Sequence, residues 1–263
     1  PLIASMTFGP DGMSDTGVTP EAAAVTLEGL GVSAVGVNCS TGPEHMLPVV
    51  ERLAAATALP VAVQPNAGLP REHDGQLIFP LQPEQMTPWY ERFVEAGAAL
   101  VGGCCGTNPD TIRLAAQRVG GRPVVPHGPS AARVRLASRS RVVSIGPGAP
   151  FCLIGERVNP TGKPRFARAL QEGRLDRVLG AARRQAEFGA AALDVNVGVP
   201  GIDEPATMAL AVAAIQNAVD LPLCLDSSDP AALKRGLEVY TGRALVNSVN
   251  AEGHPDETLA LVR

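Results

Sequence analysis

The sequence predicts an α/β protein of two (β/α)8 TIM-barrel-type domains, each represented by about half a barrel and joined by a linker. Three observations predict it. Short apolar runs alternate with amphipathic helical stretches, which favours parallel strands with helices packed outside them. The alternation stops over residues 120–150 and resumes at 151, with four strand–helix units on each side, where a complete barrel has eight. The apolar runs turn polar only in their last two or three residues, and the C-terminal ends of parallel strands are where such folds keep their chemistry.

In order, the first-half strands are read at 2–8, 34–39, 60–66 and 99–105, with 2–8 as a buried strand. Helices are read at 20–30, 43–57, 83–96 and 108–119, with Pro20 and Pro43 near helix starts, where a missing N–H costs nothing. Thr107-Asn108-Pro109-Asp110 is a helix N-terminal signal. Residues 120–150 are rich in Gly, Pro, Ser and Arg and read as a linker, with one hairpin where "RVVSIGPG" alternates. Its Arg-rich part, 133–141, reads as a solvated face. The second set of strands is read at 151–159, 192–198, 221–228 and 244–250, and the helices at 163–189, 203–219, 229–240 and 255–263. The expected domains are therefore 1–120, a linker 121–150, and 151–263.

Composition narrows the function classes. Nearly half of the 263 residues are hydrophobic, mostly Ala, Val and Leu, so a substantial core can form. The net charge of −4 offers no basic footprint for nucleic acid. No apolar run reaches membrane-spanning length, and "PLIASMTF" lacks the charged start of a signal peptide. Five cysteines in a chain of this size suit reduced thiols or metal ligands of a cytoplasmic protein better than a disulfide scaffold.

The cysteines carry the sharpest signal. Cys39 ends one strand, and the adjacent Cys104 and Cys105 end another, so all three fall on one face of a parallel sheet. Adjacent cysteines form a disulfide only with strain, and neighbours in a regular strand point to opposite faces. Gly102, Gly103 and Gly106 let the backbone leave strand geometry so that one turn can donate both ligands. Three thiolates with an open fourth position suit Zn²⁺. The competing reading is three buried structural cysteines; the glycine bracket and the third cysteine at a strand end weigh against it. Cys152 and Cys224, inside apolar runs without a ligand partner, read as core. His45, His73, His127 and His254 lack ligand spacing and read as surface or loop residues.

"GVNCS", then "VQPNAG", then "VGGCCGT" closely resembles the homocysteine-binding zinc barrel of homocysteine S-methyltransferases. The resemblance implies Cys39, Cys104 and Cys105 as zinc ligands, with Asn66 and Gly103 on the homocysteine side. A thiol on Zn²⁺ loses its proton at neutral pH and becomes a nucleophile for a methyl donor.

"IGERVNPTGKPRF", "LDVNVG", "LDSS" and "NSVNAE" together resemble the pterin-binding barrel of cobalamin-dependent methionine synthases and their corrinoid methyltransferase relatives. The order, zinc half then linker then pterin half, matches that family over nearly the whole chain. The resemblance implies pterin contacts at Asn159, Pro160, Thr161, Asp226 and Asn247. Asp and Asn can match the amide, amino and ring N–H groups of a pterin edge. Asp194 and Asn196 are further candidates, the alternative being a polar pair that caps a strand. Glu156 and Arg157 form either a substrate contact or an ion pair.

The expected activity is transfer of the methyl group of 5-methyltetrahydrofolate, through a corrinoid, to zinc-bound homocysteine thiolate, giving methionine and tetrahydrofolate. Methylcobalamin is expected on a corrinoid-binding domain or protein outside this chain, since no DxHxxG pattern occurs. The chain reads as an internal fragment across a domain junction, inactive by itself, whose open sheet edges should make it associate. The alternatives are homocysteine methylation from a betaine or S-methyl donor, a zinc barrel fused to a flavin-dependent folate reductase, and an inactive zinc- or pterin-binding fragment.

Overall fold

A computed structural model of the chain describes residues 1–129 and 133–248, with 256, 259 and 260. The chain divides into two compact units, Pro1–Ala132 and Arg133–Arg263. Each contains a four-stranded parallel sheet with helices packed on it.

In the first unit the order is β1 (Ile3–Met6), α1 (Pro20–Gly29), β2 (Ala34–Asn38), α2 (Pro43–Ala56), β3 (Val61–Gln64), β4 (Arg71–His73), β5 (Gln76–Ile78), α3 (Pro83–Glu95), β6 (Ala98–Val101) and α4 (Pro109–Val119). The sheet runs β1-β2-β3-β6, so consecutive βα units lie side by side and every strand end points the same way. Proline occupies the first turn of α1, α2, α3 and α4 and marks each start. Asn108 then caps α4, accepting from the Thr111 N–H at 3.0 Å. Val35, Val37, Val61 and Val63 from the central strands meet Met46, Leu53, Tyr90 and Phe93 from the helices in one core.

One expectation fails in this unit, and one element is new. The run 2–8 is not a buried strand: β1 lies at the sheet edge, Leu2 is 62% exposed and Ile3 55%, and only Phe8 is sealed in the core. The antiparallel hairpin β4–β5 was not foreseen. Its signal is Asp74-Gly75, whose φ values of 51° and 75° fit a two-residue hairpin turn. His127 lies in a loop, as read, and is half-buried there; its Nδ1 lies 3.0 Å from Thr57 O and 3.2 Å from Ala54 O at the end of α2.

In the second unit the order is β7 (Val134–Ala137), β8 (Val142–Ile145), β9 (Ile154–Val158), α5 (Pro164–Gln171), α6 (Asp176–Glu187), β10 (Ala192–Val195), α7 (Glu204–Ala218), β11 (Leu223–Asp226), α8 (Pro230–Val239) and β12 (Leu245–Asn247). The sheet runs β9-β10-β11-β12, all parallel. The expected strand 244–250 is met by β12, the last two residues of that range lying outside the described ones, and the expected helix 255–263 lies largely outside them.

Three further expectations are corrected here. The helix read at 163–189 is two, because Gly173 takes φ +69° and ends α5, its N–H bonding Leu170 O at 2.9 Å. Residues 133–141 are a solvated face only in part: Arg133, Arg139 and Arg141 are exposed, but 135–138 are buried. Val134–Ala137 form β7 of an antiparallel hairpin, with Arg135 9%, Leu136 1% and Ala137 0% exposed. The buried Tyr240 hydroxyl donates to Ala137 O at 2.8 Å, while Asp220 takes up the Ser138 hydroxyl at 2.7 Å and the Ser140 hydroxyl at the hairpin turn. Cys152 is not core: it precedes β9, half-buried, beside a 92% exposed Phe151. Cys224, at 2% exposure, is buried as read.

Candidate functional site

The first unit gathers Cys39, Cys104 and Cys105 at the C-terminal ends of β2 and β6. Cys39 and Ser40 both take left-handed backbone, φ 60° and 59°. Two consecutive non-glycine residues in that region carry strain of about 1–3 kcal/mol each, and such strain collects at functional loops. Three hydrogen bonds hold the turn. Cys39 N–H donates to Gln64 O at 3.0 Å, Thr41 N–H to Cys39 O at 2.7 Å, and Asn66 N–H to Thr41 O at 3.3 Å.

After β6 ends at Val101, the ladder to the β3 side continues through Gly102 N–H to Val63 O and Cys104 N–H to Pro65 O, both 2.9 Å. The chain then turns. Cys105 N–H leaves the ladder and donates to the side-chain Oδ1 of Asn66 at 3.1 Å, and Ala67 N–H donates to Cys105 O at 2.9 Å. The glycines are required by space. A Cβ on Gly103 would lie 2.4 Å from Thr107 Oγ1, and one on Gly106, at φ +79°, would lie 2.3 Å from Phe79 Cβ.

The result is a sulfur triangle. Cys105 Sγ lies 3.8 Å from both Cys39 Sγ and Cys104 Sγ, and all three sulfurs are within 4.8 Å of one another. Tetrahedral zinc with Zn–S near 2.3 Å implies S···S separations of about 3.8 Å, so the donor set fits that ion. It is the one such cluster of His, Cys, Asp or Glu among the described residues. Cys39 and Cys104 are half-buried and Cys105 is exposed, so the cluster lies at the surface. The Ser40 N–H beside Cys39 lowers its thiol pKa, against the opposing effect of burial, with help from the neighbouring thiols and Asn66. Burial and the neighbouring Cys39 push Cys104 up to about 11. Asn66 therefore touches both halves of the triangle from a buried position, 3% exposed. Gly103 sits against Thr107, whose hydroxyl donates to Cys104 O at 2.7 Å.

The second unit gathers a polar set at the ends of β9 to β12. Asp194 pairs in register with Cys224, and Asp226 with Asn247. Asn196 Nδ2 donates to Asp226 Oδ2 at 3.0 Å, and Gly198 N–H to Asn196 Oδ1 at 2.9 Å. Glu156 accepts from Asn159 Nδ2 at 2.7 Å. Asn159 Oδ1 in turn accepts the Thr161 N–H at 2.9 Å, folding Asn159-Pro160-Thr161 into a turn, and Lys163 Nζ donates to Asn159 O at 3.0 Å. Asp194 is 7% exposed, and burial raises its pKa. Asp226 and Glu156 push the same way, while Cys224 and Asn247 oppose.

Sequence reading missed Ser227. Its 3% exposed hydroxyl donates to Glu204 and accepts the Asp229 N–H at 3.0 Å, bracing the loop after β11. It took Cys224 as inert core, although the two-residue alternation in "LCLD" places Cys224 on the same strand face as Asp226.

Residues 1–119 match the family model for homocysteine S-methyltransferase and residues 155–263 that for pterin binding enzymes. A methionine synthase of Mycobacterium tuberculosis (strain ATCC 25618 / H37Rv) is 35% identical over 257 residues, covering 96% of this chain and 21% of that protein. One of Mycobacterium leprae (strain TN) is 36% identical over 240 residues, covering 88% and 20%. The chain thus spans about a fifth of the length of the curated relatives it matches. Among solved structures, a Yersinia pestis dihydropteroate synthase with a sulfonamide drug is 16% identical, covering 100% of this chain and 91% of that one at a TM-score of 0.29.

Proposed function

We propose, for a chain that belongs over residues 1–119 to the homocysteine S-methyltransferase family and over residues 155–263 to the pterin-binding enzymes, that it serves methionine formation from homocysteine and a folate methyl donor. Each unit is read as about half of a (β/α)8 barrel within a longer protein, with the ends of its four parallel strands forming part of a substrate site.

The observation that carries the reading is the triangle of Cys39, Cys104 and Cys105, with sulfurs 3.8 Å apart on two sides and Cys105 exposed. These three thiols would hold a zinc ion. Bound there, the ion would supply Lewis acidity that deprotonates an incoming thiol at neutral pH. The protein's own part is placement. The strained Cys39–Ser40 turn and the Gly103–Gly106 turn present the sulfurs, and Asn66 locks one turn to the other beside the exposed Cys105, where homocysteine would enter.

In the second unit, Asn159 to Thr161, Asp194, Asn196, Asp226 and Asn247 would contact the pterin of 5-methyltetrahydrofolate. Carboxylates suit its ring N–H and amino donors, and amides suit its carbonyl. The methyl group would pass through a corrinoid carried by a separate domain or protein. A donor other than folate is disfavoured, because it leaves the pterin-binding half of the chain without a task.

Zinc content per purified chain tests the first half. About one zinc per chain, lost in each of Cys39→Ala, Cys104→Ala and Cys105→Ala, is the expected result. A zinc-free protein that uses homocysteine in its full-length form would overturn it. Titration with tetrahydrofolate tests the second half: binding weakened by Asp226→Ala and Asn247→Ala is expected, and unchanged binding in both refutes the assignment.

A further inference from the structure

One buried nucleophile in the second unit has no part in the reading above. Cys224 lies in the middle of β11, 2% exposed, directly in register with Asp194 of β10. In parallel strands, register partners project to the same face, so the thiol and the carboxylate lie side by side. We propose that Cys224 is a positioning residue for Asp194, its buried S–H donating to one carboxylate oxygen and leaving the other for a bound pterin. The inference rests on the reading of the second unit as a pterin site.

The surroundings explain why a donor is needed there. Asp194 shares the strand ends with Asp226 of β11 and Glu156 of β9, two further acids that disfavour its ionised form. The groups opposing them at Asp194 are the Cys224 thiol and the Asn247 side chain of β12; the Asn196 amide is engaged with Asp226. Burial and the adjacent carboxylates drive Cys224 far above the ordinary thiol range, so it stays protonated and keeps its proton to donate. A thiol also suits the place sterically. It packs as a small apolar group inside a strand whose neighbours Leu223 and Leu225 are fully buried, whereas a hydroxyl there would have a second bonding demand to meet.

The test reads the coupling first without any ligand. Infrared spectra of the parent and of Cys224→Ala isolate the S–H band of Cys224; should that variant fail to fold, Cys224→Ser serves the same subtraction. The band is expected to move to higher frequency in Asp194→Asn, where the carboxylate acceptor is lost, and an unmoved band overturns the proposal. Thermal stability against pH supplies the second readout. Asp194, raised by burial, contributes stability that is present below its unfolded range and lost as pH rises through its folded value. Removing the donor in Cys224→Ala should extend that loss to higher pH, and Cys224→Ser should restore the parent curve. Superimposable curves for all three refute the coupling. Tetrahydrofolate titration then joins coupling to function: about tenfold weaker binding in Cys224→Ala and within about threefold of the parent in Cys224→Ser are expected. Equal binding in all three overturns the positioning role. If the parent itself does not bind, the pterin reading fails while the infrared and pH measurements still decide the thiol–carboxylate bond.

Discussion

Replacing Asn66 with alanine should loosen the sulfur triangle without removing a sulfur. Asn66 is 3% exposed; its Oδ1 accepts the Cys105 N–H at 3.1 Å and its amide meets the Cys39 thiol. Alanine leaves the Cys105 N–H, part of a half-buried bond, without its partner, at a cost of about 1–3 kcal/mol. The main-chain bonds from Asn66 N–H to Thr41 O and from Ala67 N–H to Cys105 O survive the substitution, so the turns persist and only their relative placement relaxes. If that cost falls on the metal-bound geometry, zinc affinity drops by about 5- to 150-fold at 1.4 kcal/mol per decade, within the range of about 10- to 100-fold seen when groups that orient ligands are removed. Competition against a chromophoric chelator at fixed pH measures it, alongside zinc content at saturation. The expected result is one zinc per chain retained at saturation with affinity reduced at least about tenfold. Affinity within about threefold of the parent would refute the argument that Asn66 joins the two cysteine turns.

Three other predictions follow from single contacts. Gly106→Ala forces a Cβ to 2.3 Å from Phe79 Cβ at a left-handed φ of +79°, so it should cost more than about 2 kcal/mol in thermal or denaturant unfolding and abolish zinc uptake; a parent-like variant contradicts the packing. Tyr240→Phe deletes a buried hydroxyl that accepts the Leu223 N–H at 3.1 Å and donates to Ala137 O at 2.8 Å, so denaturant titration should show a loss of about 1–3 kcal/mol; less than about 0.5 kcal/mol would show the hairpin is held by other means. Asp220 is held below the usual carboxylate range, burial being outweighed by the Ser140 and Ser138 hydroxyls, the Ser140 N–H and Arg141. Its contribution is therefore present above the unfolded carboxylate range and lost as pH falls through the lowered folded value, so Asp220→Asn should flatten the acid limb of stability against pH, and an unchanged limb refutes the clamp.

Most of the parallel framework was legible because its signals are local. Proline in the first turn marks α1, α2, α3, α4, α5 and α8, and an apolar run ending in Asn, Gln or Asp marks β2, β3 and β11. What failed depends on partners far along the chain. Composition made 133–141 look solvated, yet Tyr240 and Asp220, some eighty to a hundred residues on, hold its middle, 135–138, in a buried position. The edge position of β1 leaves Leu2 and Ile3 exposed although their side chains read as core. The β4–β5 hairpin was legible in principle from Asp74-Gly75, a two-residue turn signal that the strand–helix alternation around it does not include. At the candidate site, the convergence of Cys39, Cys104 and Cys105 followed from strand order, whereas the bond from Cys105 N–H to Asn66 Oδ1 needs three-dimensional placement that spacing does not encode.

The two units reach the same end of a parallel sheet with different local solutions, and the donors explain the difference. Three sulfurs within 4.8 Å of one another cannot all come from regular strands, whose successive side chains face opposite ways; each donating segment must leave the strand. Cys39 does so through left-handed backbone, and Cys104 and Cys105 do so after β6 has ended at Val101. A planar ligand edge makes the opposite demand, for polar groups spread along one flat face. Asp194 and Asp226 meet that demand inside β10 and β11, and Asn196 and Asn247 stand beside them in the same alternation. The price is burial of a carboxylate among like charges, which raises Asp194 and makes the neighbouring donors, Cys224 and Asn247, part of the site rather than of the core. Left-handed backbone at Cys39 and Ser40 therefore marks the sulfur site, and a buried carboxylate among like charges marks the polar one. Substitutions should divide accordingly, with pH-independent losses at Gly103 and Gly106 and pH-dependent ones at Asp194 and Cys224.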